Sequence, residues 1–266
     1  MGGFLEVQGL RKEFAEQGGL VAIESISFSV EQGDFVSIVG PSGCGKTTLM
    51  RCIGGLSRPS AGSIMLKGNE VTGPPEGVVM VFQDYSKSLL PWRTVLGNVT
   101  LGLESTRDLS RQERVDRAKQ YLEAVGVAGF ENYYPRQLSG GMQQRVAIAR
   151  ALAFHPEVLL MDEPFASVDA QTRGELEDAV RQIWKKYAQT VLFVTHDIEE
   201  AIYLATKVVV IGARPSSVID AFPVELGQDR DQLTTREQRH FLDLRQRVYR
   251  AIRKTKDVST AMPPAQ

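Results

Sequence analysis

The sequence predicts an α/β fold with a mainly parallel sheet, on three observations. Five short apolar runs, Phe35–Val39, Val78–Phe82, Val158–Met161, Val191–Thr195 and Val208–Ile211, are continuous rather than alternating. Strands covered on both faces read that way. Helical patterns fall between some of the runs: Leu176, Val180, Ile183 and Tyr187 form one apolar stripe at helical spacing. Polar residues with chemical potential directly follow four of the runs, namely Gly40, Gln83, the pair Asp162–Glu163, and His196. Ligands of a parallel α/β sheet bind beyond the carboxyl ends of its strands, so four separate segments converge on one crevice.

The flanking segments follow different patterns. Phe4–Val30 alternates: Ile26, Phe28 and Val30 point one way, and Ser25, Ser27 and Ser29 the other. This predicts an N-terminal antiparallel β subdomain with one solvated face, joined by Ser63–Lys67. Residues from about 84 to 152 lack long strand signals and carry the helical stripe Val115, Ala118, Leu122 and Val125, which predicts a helical subdomain. The main domain is expected over residues 1–221 and a helical extension with a tail over 222–266. In that extension Thr235 and Gln238 fit a capping box, and Phe241, Leu244, Val248 and Ile252 then share a face. Arg245, Arg247, Arg250, Arg253, Lys254 and Lys256 make this end basic, as a solvated face or as a contact for lipid headgroups or a partner. Val258–Gln266 reads as a loose tail.

Composition removes several classes. The apolar runs are about five or six residues long, against roughly 20 for a membrane helix, so no span is expected. Met1–Glu6 has no basic cluster leading into an apolar stretch, so no secretory signal is expected. The two cysteines, Cys44 and Cys52, are too few for a disulfide framework and read as reduced thiols in a cytosolic protein. A formal net charge of -1 without a long basic stripe argues against nucleic acid as the main partner.

The first strand end reads Gly40-Pro41-Ser42-Gly43-Cys44-Gly45-Lys46-Thr47-Thr48. It satisfies the spacing of the phosphate-binding loop, G-x-x-x-x-G-K-[ST]. Glycines let the backbone wrap a phosphate with no Cβ in the way, and the N-terminus of the following helix adds positive potential. Lys46 is then placed to reach the β- and γ-phosphates, and the Thr47 hydroxyl to hold Mg²⁺. The plain alternative is a glycine turn with an incidental lysine.

Asp162 and Glu163 close an apolar strand. A buried carboxylate pair is costly unless a cation or proton compensates it. Mg²⁺ suits Asp162, and Glu163 could polarise an attacking water as general base; a helix cap or turn before Pro164 is the plain alternative. A lone histidine is usually structural, but the strand-end position of His196 points to a γ-phosphate contact. Gln83 is weak by itself; a neutral amide there can coordinate Mg²⁺ and the attacking water.

Leu138-Ser139-Gly140-Gly141-Met142-Gln143-Gln144-Arg145 opens a helix, with Ser139 as cap and two glycines leaving its N-terminus bare, an anion site. With this segment the chain resembles the ATPase subunits of ABC transporters, over nearly all its length up to about Asp220. The resemblance implies a P-loop ABC ATPase that binds and hydrolyses ATP with Mg²⁺. It matches Gly40–Thr48 to Walker A, Val158–Glu163 to Walker B with Glu163 as catalytic base, Gln83 to the Q-loop and His196 to the switch histidine. Leu138–Met142 is similar to the signature motif, so Ser139, Gly140, Gly141 and Gln143 would act in trans on the nucleotide of a second subunit. Asp169, in Ser167-Val168-Asp169-Ala170, falls at the D-loop or is a plain cap; the family more often has Leu where Val168 sits. Phe14 is the candidate for stacking on adenine, or is a core or surface aromatic.

The run Asp84–Val99 would meet a membrane permease subunit, with Leu89, Leu90 and Trp92 as anchor types, or would pack the helical subdomain. Its Leu-Leu-Pro-Trp and Val-Leu-Gly-Asn-Val sequences resemble the nitrate/sulfonate/taurine import branch. The resemblance thus implies a peripheral ATPase on the cytoplasmic membrane face. It would form a dimer, homodimer or heterodimer, and power uptake of a small anionic solute delivered by a solute-binding protein. The rival readings are a soluble ABC ATPase acting on nucleic acid or ribosomes, and a small-molecule kinase. The first lacks a second cassette, coiled-coil insertion or basic face; the second has no use for Leu138–Met142.

Overall fold

The computed structural model describes residues 3–84, 88–104, 109–166 and 168–260. The chain opens with an antiparallel hairpin, β1 (Leu5–Phe14) and β2 (Leu20–Val30). It enters the centre as β3 (Phe35–Val39), followed by helix α1 (Lys46–Ile53). It then returns to the hairpin as β4 (Ala61–Leu66) and the short β5 (Asn69–Glu70). Strand β6 (Val78–Val81) leads into helices α2 (Val95–Leu101), α3 (Arg111–Ala124) and α4 (Gly140–Ala153). Next come β7 (Val158–Asp162), α5 (Ala170–Tyr187), β8 (Thr190–Thr195), α6 (Ile198–Leu204) and β9 (Lys207–Ile211). The last elements are β10 (Ser216–Pro223) and helices α7 (Thr234–Glu237) and α8 (Arg239–Thr260).

The strands form one sheet in the order β5-β4-β1-β2-β10-β9-β3-β8-β7-β6. From β9 to β6 every pairing is parallel, whereas β1, β2, β4 and β5 pair antiparallel. All five apolar runs became strands of the parallel half, within a residue of the expected limits. Their continuity has a direct cause. Phe35 and Val39 pack into one apolar cluster with α4, α5, α6 and α8, while Val36 and Ile38 pack into a second with α1, β1 and β2. Both faces are dry, so both register positions favour apolar side chains; Ser37, fully buried, is the exception within β3. Strand β10 was not legible as a run. It joins the two halves, parallel to β2 and antiparallel to β9.

Three expectations are corrected. Thr235 does not cap the long C-terminal helix: it is buried, and its Oγ1 accepts from Asp231 N at 2.8 Å. Gln238 instead closes α7 with ψ of 137°, and α8 starts after it. Helix α8 also runs to Thr260, so the first residues assigned to the tail are helical, and residues 261–266 lie outside those described. Leu89 is not an exposed anchor but part of the larger core cluster, whereas Trp92 is 71% exposed. Phe241, Leu244 and Val248 bury the inner face of α8 as their spacing indicated.

The loop that carries Trp92 is fixed by Asn98, which is fully buried. Its Oδ1 accepts from Leu90 N at 2.7 Å, and its Nδ2 donates to the carbonyls of Leu90, Arg93 and Thr94 at 3.0–3.1 Å. Asn98→Leu strands these backbone groups and is expected to cost about 2–4 kcal/mol, read as a lowered midpoint in urea. Glu200 on α6 is the opposite case. Burial, and secondarily Glu177 and Asp197, push its carboxyl from 4.5 up to about 8 against the opposing pull of a Thr195 hydrogen bond and Arg173. A raised carboxyl pKa keeps the proton bound in the fold, so stability is lost as pH rises from about 4.5 through about 8. Glu200→Gln is expected to gain stability over the parent chain at alkaline pH and to converge with it in acid, in urea titrations across pH.

Candidate functional site

The parallel register brings the strand ends level. Val39 pairs with Thr195 and Val210, and Asp162 pairs with Val194. The residues that follow, Gly40, Glu163 and His196, therefore leave the sheet at one edge. Gln83, two residues beyond β6, reaches the same edge.

The loop Gly40–Thr48 turns tightly against β9. A Cβ on Gly40 would stand 2.6 Å from the Ile211 carbonyl oxygen, so only glycine fits. Gly45 lies at φ of 102°, outside the range of other residues. Lys46, the first residue of α1, is 5% exposed and reaches back across the loop, donating to the carbonyls of Gly40 at 2.9 Å and Pro41 at 3.0 Å. Pro41, Ser42 and Gly43 form its rim, with Ser42 and Gly43 exposed. Thr47 and Thr48 continue into α1. Cys44 is buried within the loop, and burial pushes its thiol upward despite the nearby Lys46. A thiol in the neutral form and out of reach reacts slowly, so thiol reagents are a poor probe of this loop.

Asp162 ends β7 and is 1% exposed. Burial raises its carboxyl; a hydrogen bond from Thr47 opposes the rise, Glu163 adds to it, and Lys46 and Arg51 work against it. Its Oδ1 has no hydrogen-bond donor among the described residues. A buried carboxylate oxygen beside a threonine hydroxyl is a hard-oxygen donor set that suits a divalent cation such as Mg²⁺. Thr47, Asp162, Gln83, Arg51 and Arg150 line one cavity of about 530 Å³.

Glu163 is the meeting point of three strand ends. Its Oε2 lies 3.1 Å from His196 Nδ1 and 3.4 Å from Gln83 Nε2. Its backbone sits at φ of 47°, a left-handed conformation that glutamate adopts at a cost, held by its N–H donating to Val194 O at 2.9 Å. Strained backbone of this kind collects at functional sites.

Other expected residues lie apart from this cluster. Ser139 caps α4, its Oγ accepting from Met142 N at 3.3 Å, and Gln143 Nε2 donates to Leu138 O at 3.2 Å. Among the described residues no hydrogen bond joins Ser139, Gly140, Gly141 or Gln143 to the glycine loop of the same chain. Asp169 caps α5, accepting from Thr172 N at 3.0 Å, and its carboxyl is held low by that bond; Ser167 lies outside the described residues. Half-buried Phe14 ends β1 with the Lys12 ammonium 5.2 Å from its ring centre. Of Asp84–Val99, residues 85–87 lie outside the described residues.

Sequence reasoning missed Arg214, whose Nη2 donates to Gly43 O at 2.8 Å. The signal was present: Arg214 shortly follows the fifth apolar run, β9, at the same edge of the sheet. It also missed Arg150, which is distant in sequence and joins the cavity only through the packing of α4.

Comparison with known proteins agrees with this geometry. The family model described as ABC transporter matches residues 23–166. An uncharacterized ABC transporter ATP-binding protein of Methanocaldococcus jannaschii is 48% identical, covering 92% of this chain and 89% of that one. The nitrate import ATP-binding protein NrtD of Synechocystis is 46% identical over 85% of each chain. The aliphatic sulfonates import ATP-binding protein SsuB of Bacillus cereus is 43% identical, covering 80% of this chain and 83% of that one. Among solved structures, a dimeric bacterial ABC transporter cassette superposes with a TM-score of 0.74 at 30% identity, covering 83% of this chain and 99% of that one. A second structure of that cassette, in a post-hydrolysis state bound to ADP and Pi, superposes equally well. With its glycine loop, its strand-end carboxylates and these relatives, the chain belongs to the ABC transporter family of ATP-binding proteins.

Proposed function

We propose that this chain is the ATP-hydrolysing subunit of an importer for a small anionic solute, working as a dimer against membrane permease subunits. The observation that carries the hydrolytic reading is the convergence of Gln83 and His196 on Glu163, beside Asp162 and the glycine loop. The names of the nitrate and sulfonate relatives support the import branch and the solute class. The dimeric cassette supports pairing. No helix among the described residues is long and apolar enough to cross a membrane, which fits a peripheral subunit carried by separate permease chains. Trp92, exposed on the Asn98-braced loop, is the anchor for that contact.

The residues divide the work as follows. Lys46 exchanges its two carbonyl partners for the β- and γ-phosphate oxygens of ATP, and the backbone of Gly40–Thr48 wraps the phosphates. Thr47, Asp162 and Gln83 would hold Mg²⁺, which would supply charge neutralisation on the phosphates. Glu163 orients and deprotonates the attacking water. His196 holds the Glu163 carboxylate and faces the γ-phosphate. Arg214 braces the loop from behind through Gly43. Phe14 stacks on the adenine, and Ser139, Gly140, Gly141, Gln143 and Asp169 complete the site of the partner chain. That Ser139 and Gln143 bond only within their own helix start among the described residues supports the signature part of that assignment.

Glu163→Gln is the sharpest test. It keeps size and hydrogen bonding and removes only the base. Turnover is expected to fall by about 10²–10⁴ while ATP affinity persists and an ATP-bound dimer accumulates in size-exclusion chromatography. Normal hydrolysis by this variant would refute the base assignment.

A further inference from the structure

Helix α4 sends three polar side chains out to the loops that carry site residues. Gln144 is 1% exposed, and its Nε2 donates to the Pro164 carbonyl, one residue beyond Glu163. Arg150 Nη1 donates to the Ser88 carbonyl at 2.7 Å, on the loop that follows Gln83, and lines the cavity with Thr47, Gln83 and Asp162. Arg145 Nη2 donates to Thr172 Oγ1 at 3.3 Å, in the first turn of α5 behind Asp169. The same helix begins at Ser139.

Simple packing does not account for Gln144. Its neighbours on α4, Val146, Ile148 and Leu152, pack the helix with apolar groups. Burying an amide there costs free energy, the more so because its Oε1 meets no donor among the described residues. What the amide adds over a methionine of similar length is one directed hydrogen bond. That bond falls on the turn where Glu163 is held at φ of 47°. Without it the Pro164 carbonyl is free to rotate and the turn can relax, carrying the Glu163 carboxylate away from His196 and Gln83. Arg150 does the equivalent for the Gln83 loop.

We infer that Gln144 and Arg150 are positioning residues, tying the Glu163 turn and the Gln83 loop to the helix that starts at Ser139. The inference rests on the ATPase reading and deepens it. Any displacement of Ser139 by a nucleotide is delivered through one rigid helix to two groups of the same chain's own site.

The test is steady-state MgATP turnover by the full chain, set beside ATP affinity from nucleotide titration and thermal melting. Gln144→Met keeps length and apolar bulk and removes the donor. Its kcat is expected to fall about 10–100-fold, the cost of a misplacement near 1 Å, with ATP affinity held within about twofold. Arg150→Lys keeps the charge but shortens the reach to Ser88, and a fall of about tenfold or more with unchanged affinity is expected. A structural role would lower the melting temperature and the folded yield while leaving kcat per folded chain intact; that outcome overturns the inference. If Gln144→Met does not fold, wild-type kcat in Arg150→Lys overturns it equally. Absence of turnover in the parent chain would instead strike the ATPase reading itself.

Discussion

Asp162 is a carboxylate at the end of a dry strand, and much of the structure answers to it. Burial disfavours its charged form, and among the groups that oppose this are the Thr47 hydroxyl and the Lys46 ammonium at the start of α1. Those two groups can stand there only because the glycine loop lets the chain pass within contact of Ile211 and then turn into a helix. The parallel register then determines everything nearby. Because β3, β7 and β8 end level, the next residue of each, Gly40, Glu163 and His196, emerges at the same place. One electrostatic requirement and one register thus assemble a site from segments more than a hundred residues apart in the sequence.

The same geometry explains why the site is proposed as half of a larger one. The helix capped by Ser139, α4, exposes its N-terminus, and its Gln144 and Arg150 tie it to the Glu163 turn and the Gln83 loop. A nucleotide bound by one chain and touched by the Ser139 segment of another would then couple the two chains mechanically. Helix α8 packs on α6: Arg245 of α8 and Arg236 of α7 pair with Glu199, three residues past His196, so the C-terminal extension buttresses the helix that follows the histidine. The inner face of α8 belongs to the main core, and its Arg247, Arg250 and Arg253 are exposed.

How far the sequence discloses this depends on how local each cause is. The five apolar runs were legible because both faces of those strands are dry, which favours apolar residues at nearly every position. The strand-end residues were legible because chain direction and parallel pairing fix which end they occupy. Strand β10 was not, because Ser216–Pro223 is largely exposed along its middle and shows neither a run nor an alternation. Thr235 misled because a capping pattern is only four residues of information, and the hydroxyl found a nearer donor in Asp231. Leu89 misled because loop membership says nothing about depth; its side chain turns inward. Arg150 and Gln144 act across 62 and 20 residues of sequence, through helix packing that no local pattern encodes.

The central claim is that a complete hydrolytic site takes its glycine loop from one chain and its Ser139 segment from another. Mixing two inactive variants tests it most directly. Lys46→Ala disables a chain's own loop, and Ser139→Arg disables what it offers its partner. In a mixed pair one site carries both lesions and the other carries neither, so ATP hydrolysis is expected to reappear when the two proteins are combined. If both segments served the same chain, every site in the mixture would carry a lesion, and a mixture as inactive as its components would contradict the account.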